Sequence, residues 1–273
     1  MKLILFTDLD GTLLNSYTYS YQESLQAINL LKRKQIPIIF CSAKTQAEQE
    51  VYRKALGITD PFIVEEGGGI LIPQDYFPFA FDYCQRTRDY DIIKLGSSYE
   101  QVISVLKKVK EKSDCRIRRF GNLTIKEIAQ DSGLSPKMAA LARQRKYTET
   151  FKIEGTKKEV KKFLLRIEEE GLSWCRGERY YRIKGKTNKG KATRILIELF
   201  KKAFGKIKSV AIGNGPNDRS LLEAVELPLI VQRQDSKWEE MEIHGLHHIE
   251  GIGPTGWSYA ARKFVAYAPY FLP

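Results

Sequence analysis

Asp8 and Asp10 stand two residues apart in Asp8-Leu9-Asp10-Gly11-Thr12, directly after the apolar run Leu3-Ile4-Leu5-Phe6. Such a run ahead of a turn reads as a buried strand. Strand side chains alternate faces, so carboxylates at i and i+2 point the same way. Glycine then allows a sharp turn. In an open α/β fold this is the carboxyl edge of the sheet, where ligands bind. Two carboxylates so close repel and need a counter-charge. A hard divalent cation such as Mg2+, which commonly brings phosphate with it, fits that chemistry. The same residues also suit an ordinary strand-to-turn signal, and the pair alone does not decide between the two.

Three more segments offer matching chemistry. Ser42, in Cys41-Ser42-Ala43-Lys44-Thr45, follows a second apolar run and precedes a helix. A hydroxyl beside the free N–H groups of a helix start makes an anion pocket, although serine is also a common helix cap. Lys189, in Asn188-Lys189-Gly190-Lys191-Ala192, opens a helix and can reach inward to neutralise phosphate. In a chain with 45 Lys and Arg, a plain surface lysine is the ordinary alternative. Gly213-Asn214-Gly215-Pro216-Asn217-Asp218 is a second strand-to-glycine turn that offers Asn214 and Asp218 to a cation, or simply a capped turn.

These residues need a frame. The pattern predicts strands at 3–7, 36–41 and 62–64, with helices at 22–34 and 45–56, the second closed by Gly57. Strand–helix alternation of this kind implies a parallel sheet with right-handed crossovers. Near residue 82 the texture changes. Strands are expected at 91–95, 116–120, 149–154 and within 172–183, with helices at 98–112, 124–131, 135–145 and 156–170. The α/β texture returns with a helix at 189–204, a strand at 209–213, a helix at 218–225 and a strand at 229–231. The expected fold is α/β: a Rossmann-like parallel-sheet core from 1–82 and 186–273, with an inserted α+β unit at 83–185.

Composition narrows the function classes. At 42% hydrophobic and 11% aromatic residues, the 273-residue chain can bury a core and is not of disordered type. No apolar stretch is long enough to cross a bilayer, and no cleavable leader pattern is visible, so a cytoplasmic protein without a membrane partner is expected. Cys41, Cys84, Cys115 and Cys175 lie far apart, which argues against a disulfide framework or structural zinc. His244, His247 and His248 read as a polar cluster in a C-terminal loop rather than a metal site. The net charge is +12. The lysines alternate with glutamates and apolar residues, as in Lys157-Lys158-Glu159-Val160-Lys161-Lys162, which is the pattern of solvated helix faces rather than of a nucleic-acid surface. No nucleic-acid partner is expected. The positive field would instead draw in an anionic small molecule.

Taken in order, the four segments resemble the haloacid-dehalogenase-like phosphohydrolase superfamily, with Asp8-x-Asp10-Gly-Thr, Ser42, Lys189 and the Gly213-to-Asp218 turn as its four motifs. The inserted unit resembles that superfamily's type II cap. A narrower resemblance, to the mannosyl-3-phosphoglycerate phosphatase family, covers nearly the whole chain. It rests on Cys41-Ser42-Ala43-Lys44-Thr45, Gly133-Leu134-Ser135, Ala139-Ala140-Leu141-Ala142-Arg143-Gln144-Arg145, Arg176-Gly177-Glu178-Arg179-Tyr180-Tyr181 and Gly253-Pro254-Thr255-Gly256-Trp257. Two positions depart from that family, which usually has Asp in place of Asn214 and Asn in place of Glu66. The first removes one negative charge from the cation site.

The resemblance implies a Mg2+-dependent phosphomonoester hydrolase. Asp8 would be the nucleophile and Asp10 the general acid and base, with Ser42 and Lys189 on the phosphoryl group. The cation would be held by Asp8, Asp10 and Asn214 or Asp218. The cap would read a phosphorylated sugar or glycerate, with Arg143, Arg145 and Arg179 as candidates for its carboxylate. Alternatives are another sugar phosphatase, a phosphosugar mutase, or a basic nucleic-acid-binding protein on a degenerate enzyme fold. The last would need exposed aromatics arranged along one basic stripe.

Overall fold

The computed structural model describes residues 1–177 and 179–267. In chain order its elements are β1 (Lys2–Thr7), α1 (Leu25–Arg33), β2 (Ile38–Phe40), α2 (Gln46–Leu56), β3 (Phe62–Val64), β4 (Gly69–Pro73), β5 (Gln85–Arg86) and β6 (Tyr90–Lys94). There follow α3 (Tyr99–Glu111), β7 (Arg116–Arg119), α4 (Ile125–Ser132), α5 (Pro136–Ala142), β8 (Thr148–Glu154), α6 (Lys157–Glu169), β9 (Ser173–Arg176) and β10 (Tyr181–Lys184). The chain closes with α7 (Lys189–Phe204), β11 (Ile207–Gly213), α8 (Arg219–Leu222), β12 (Leu227–Gln232), β13 (His247–Ile252) and α9 (Pro254–Tyr267).

Five strands form a parallel sheet in the order β13-β12-β11-β1-β2. β1 lies inside it, and alternation divides its side chains between two cores. Leu3 and Leu5 pack with Ile28, Leu31, Trp257 and Ala260 from α1 and α9. Ile4 and Phe6 pack with Leu196, Ile197, Phe200 and Leu222 from α7 and α8. Helices on both faces are what a buried parallel sheet requires. Thr7 lies opposite Phe40 on one side and Ile212 on the other, so the residues after these three emerge together at one edge.

β3 meets the sheet through the parallel bridge Cys41–Ile63, then turns antiparallel into β4. β4 pairs with β6, and β6 with β5. Residues 85–94, expected in the inserted unit, therefore build onto β4. The texture change at residue 82 marks a change of sheet and not the exit from the core side. His247 and His248, expected in a loop, begin β13 and pair with Leu229 and Ile230 of β12. Their strand is exposed at the sheet edge, so it lacks the apolar run that reveals a buried strand. β4 and α9 were not anticipated either.

The second unit is an antiparallel sheet, β7-β8-β10-β9, with α3 and α6 on one face. Val102, Leu106, Phe151, Phe163, Ile167 and Ile183 form its core. α4 and α5 enclose a smaller cluster with Phe120, Leu134 and Tyr180. Capping boxes open α2, α3, α4 and α6, at Thr45/Glu48, Ser98/Gln101, Thr124/Glu127 and Thr156/Glu159. Each satisfies two backbone groups at the start of its helix. α5 stops at Ala142, three residues before the expected end.

Candidate active site

Asp8 is fixed from below. Its N–H donates to Ile212 O at 3.0 Å, and its carbonyl accepts from Thr7 Oγ1 at 2.7 Å. Trp257 Nε1, fully buried, donates in turn to Thr7 Oγ1 at 2.9 Å. The Gly253-to-Trp257 segment thus supports the first motif from the far end of the chain. Gly11 has φ 71°, and a Cβ there would stand 2.4 Å from Asn214 Nδ2. The left-handed backbone favours glycine, and its missing side chain leaves room for the Asn214 amide.

Lys189 and Asp218 are fully buried, and Asp8 nearly so. Lys189 Nζ donates to Asp8 Oδ1 and to Asp218 Oδ1, each at 2.7 Å. Burial, reinforced by the nearby Asp218 carboxylate, raises the Asp8 pKa to about 7 against the counter-pull of Lys189. Burial alone would depress Lys189, but Asp218 and Asp8 outweigh it and hold the ammonium charged. Asp218 Oδ2 accepts from the N–H groups of Asn214 and Gly215 at 2.9 and 3.1 Å. Asp218 was expected as a cation ligand. Both its oxygens are instead engaged behind Lys189, and it does not line the cavity, whereas Asn214 does.

Ser42 is buried on the other flank and its Oγ accepts from Lys44 N at 3.3 Å. Lys44 was quoted only as part of a motif, yet it reaches the centre of the site. Its ammonium lies 3.0 Å from Asp10 Oδ1 and 3.5 Å from Glu48 Oε1. The contact with Asp10 is an ion pair outside hydrogen-bond angles, so that oxygen is buried without a hydrogen bond. The rings of Tyr19 and Tyr52 face the same ammonium at 4.8 and 5.8 Å.

A cavity of about 530 Å³ separates these groups from the second unit. Asp8, Asp10, Ser42, Lys44 and Asn214 line one side, and Arg145, Arg176, Arg179 and Arg182 line the other. Arg145 Nη1 donates to Thr148 Oγ1 at 2.6 Å and to Ala43 O at 3.3 Å. Arg179 donates to Tyr19 OH at 2.6 Å and Ser132 O at 2.8 Å. Arg143 is exposed and lies outside the cavity, because α5 ends before it. Arg176 and Arg182 were missed. Arg182 had a usable signal: it alternates with the buried Ile183 on a strand, and so faces the opposite side. Glu178, part of one quoted motif, lies outside the described residues.

Among the described residues no three His, Cys, Asp or Glu side chains group at metal spacing. Of the residues expected to hold a cation, Asp8, Asp10 and Asn214 line the cavity, whose wall also carries Glu48 and Glu239. All offer hard oxygen donors, although Asp10 Oδ1 already has the Lys44 ammonium at 3.0 Å. That chemistry fits a hard dication such as Mg2+, which keeps several waters and needs few protein ligands.

The sequence profile of haloacid dehalogenase-like hydrolases matches residues 5–238. The glucosyl-3-phosphoglycerate/mannosyl-3-phosphoglycerate phosphatase of Methanococcoides burtonii is 40% identical over 97% of this chain and 98% of its own. The mannosyl-3-phosphoglycerate phosphatase of Pyrococcus furiosus is 35% identical over 85% of this chain and 91% of its own. The chain therefore belongs to the haloacid dehalogenase-like hydrolases and, within them, to the family of the mannosyl-3-phosphoglycerate phosphatases. Among solved structures, the sucrose-phosphatase of Synechocystis sp. PCC6803 shares the fold with a TM-score of 0.62 at 13% identity, over 97% of this chain and 99% of its own.

Proposed function

We propose that this chain is a Mg2+-dependent phosphatase that removes phosphate from mannosyl-3-phosphoglycerate, or its glucosyl counterpart, by way of an aspartyl-phosphate. One observation carries the reading. Asp8 stands at the end of β1 with Lys189 Nζ at 2.7 Å, beneath a cavity whose far side is lined by four arginines. That is a nucleophile and its counter-charge facing a surface suited to an anionic leaving group.

In this reading Asp8 attacks phosphorus in line, forming a carboxyl–phosphate bond as the alkoxide leaves. Asp10 gives the leaving oxygen its proton, then takes one from the water that hydrolyses the intermediate. Lys189 and Ser42 offset charge on the transferring oxygens, where electrostatic stabilisation contributes most. Asp218 orients Lys189 and the Asn214–Gly215 amides. Mg2+, held by Asp8, Asp10 and Asn214, would supply further positive charge to the phosphoryl oxygens. The segment from about 97 to 186 acts as the cap, excluding water and reading the leaving group through Arg145, Arg179 and Arg182.

Asp8→Asn is the direct test. Phosphate release from mannosyl-3-phosphoglycerate should fall by at least about a thousandfold, because an amide is a poor nucleophile, while circular dichroism stays unchanged. Substantial turnover by purified Asp8→Asn protein would remove Asp8 from that role.

A further inference from the structure

Glu65 and Glu66 follow β3 at the carboxyl edge of the parallel sheet, and both have left-handed backbones. φ is 49° at Glu65, and φ and ψ are 61° and 31° at Glu66. Side chains rarely tolerate this region, and two in succession persist only where the surroundings over-determine them. The surroundings here are explicit. Glu65 N donates to Lys44 O and Glu66 N to Ser42 O, both at 3.1 Å, which ties the turn to the loop that carries Ser42.

Both carboxylates are buried and both serve the cap. Glu65 accepts from the N–H groups of Lys146, Tyr147 and Thr148 at 2.9, 3.0 and 2.9 Å. Glu66 Oε1 is shared by Arg182 Nη1 of the cap and Asn217 Nδ2 of the Gly213-to-Asp218 loop, each at 3.3 Å. One oxygen thus joins the cap to the loop behind the reacting groups. Arg182 lines the cavity, and its Nε is buried from solvent without a hydrogen-bond acceptor. A guanidinium held at one nitrogen keeps its other N–H groups for a planar carboxylate.

We propose that Glu66 is a positioning residue for Arg182, holding that guanidinium at the cavity wall where it meets the carboxylate that stays with the leaving group. The proposal rests on the phosphoglycerate reading above. Arg182 is then set only when cap and loop are together, so recognition of the leaving group and assembly of the reaction centre are one event.

Glu66→Gln keeps the shape and removes the charge. Glu66→Asn also removes it and suits the left-handed backbone, so it controls for strain. By calorimetry in Mg2+, both variants should bind 3-phosphoglycerate about tenfold or more weakly than wild type, the loss expected for one charge-assisted contact. Orthophosphate binding should change less than about twofold on the same grounds, since it carries no carboxylate. In kinetics, KM for mannosyl-3-phosphoglycerate should rise several-fold more than KM for p-nitrophenyl phosphate, which carries no carboxylate. Unchanged 3-phosphoglycerate affinity in both variants, or equal losses for both anions, overturns the positioning role. So does a wild type that binds 3-phosphoglycerate no better than orthophosphate. If wild type fails to hydrolyse the glycoside but the affinity difference holds, the substrate reading falls and the role of Glu66 stands.

Discussion

Asn214 sits where loop contact, amide oxygen and cavity coincide, while Asp218 four residues on is sealed behind Lys189. A cation at this edge would therefore meet a neutral ligand where a carboxylate would bind more strongly, since ligand charge count tunes affinity for hard cations. Asn214→Asp should lower the Mg2+ concentration for half-maximal phosphate release several-fold. A Mg2+ titration that stays put or moves upward removes position 214 from the ligand set. At this scale, what could be read from sequence was what is local. Asp8, Asp10, Ser42 and Lys189 meet because each lies at a strand end or helix start that its own neighbours define. Arg143 was placed at the cavity and Arg182 was missed because their directions depend on where α5 stops and which face β10 buries. Those facts belong to packing, not to spacing. Lys44 was hidden for the same reason: nothing nearby in sequence says that Asp10 lies across from it.

The β3-to-β4 turn carries more of the site than either strand. Gly67 has φ 86°, and a Cβ there would lie 2.2 Å from Asn188 O, the residue before Lys189. Gly67→Ala should destabilise the protein by about 2–4 kcal/mol, combining left-handed strain with a backbone clash that no rotamer relieves. It should also depress kcat, because the displaced peptide carries Lys189. Urea unfolding and single-substrate kinetics check the two effects. A loss under about 0.5 kcal/mol, the scale of ordinary surface changes, would mean the turn yields freely. The Glu65-Glu66-Gly67-Gly68-Gly69 run was visible in the sequence as the end of a strand. Its conformation was not, because two successive left-handed glutamates contradict local preference and are held there only by distant partners.

The net charge of +12 and an arginine-lined cavity give the whole molecule a field that attracts anions. Raising salt from about 0.05 M to about 0.5 M should raise KM for the anionic substrate and leave kcat nearly unchanged, because screening weakens long-range attraction more than contacts inside the site. A KM independent of salt would confine recognition to short-range contacts. The parallel sheet, the second α+β unit and their order were readable from alternating apolar periods. The exit point was not, since β5 and β6 resemble the second unit's texture while pairing with β4. The two crossings themselves lie side by side, for a Cβ on Gly185 would stand only 2.6 Å from Ser97 N. A segment that leaves and returns at one point can be lengthened, shortened or exchanged for another without rethreading the sheet beneath it. Such a chain is open to recombination as a cassette: the reaction machinery can be inherited intact while the part that chooses its substrate is replaced in a single genetic step.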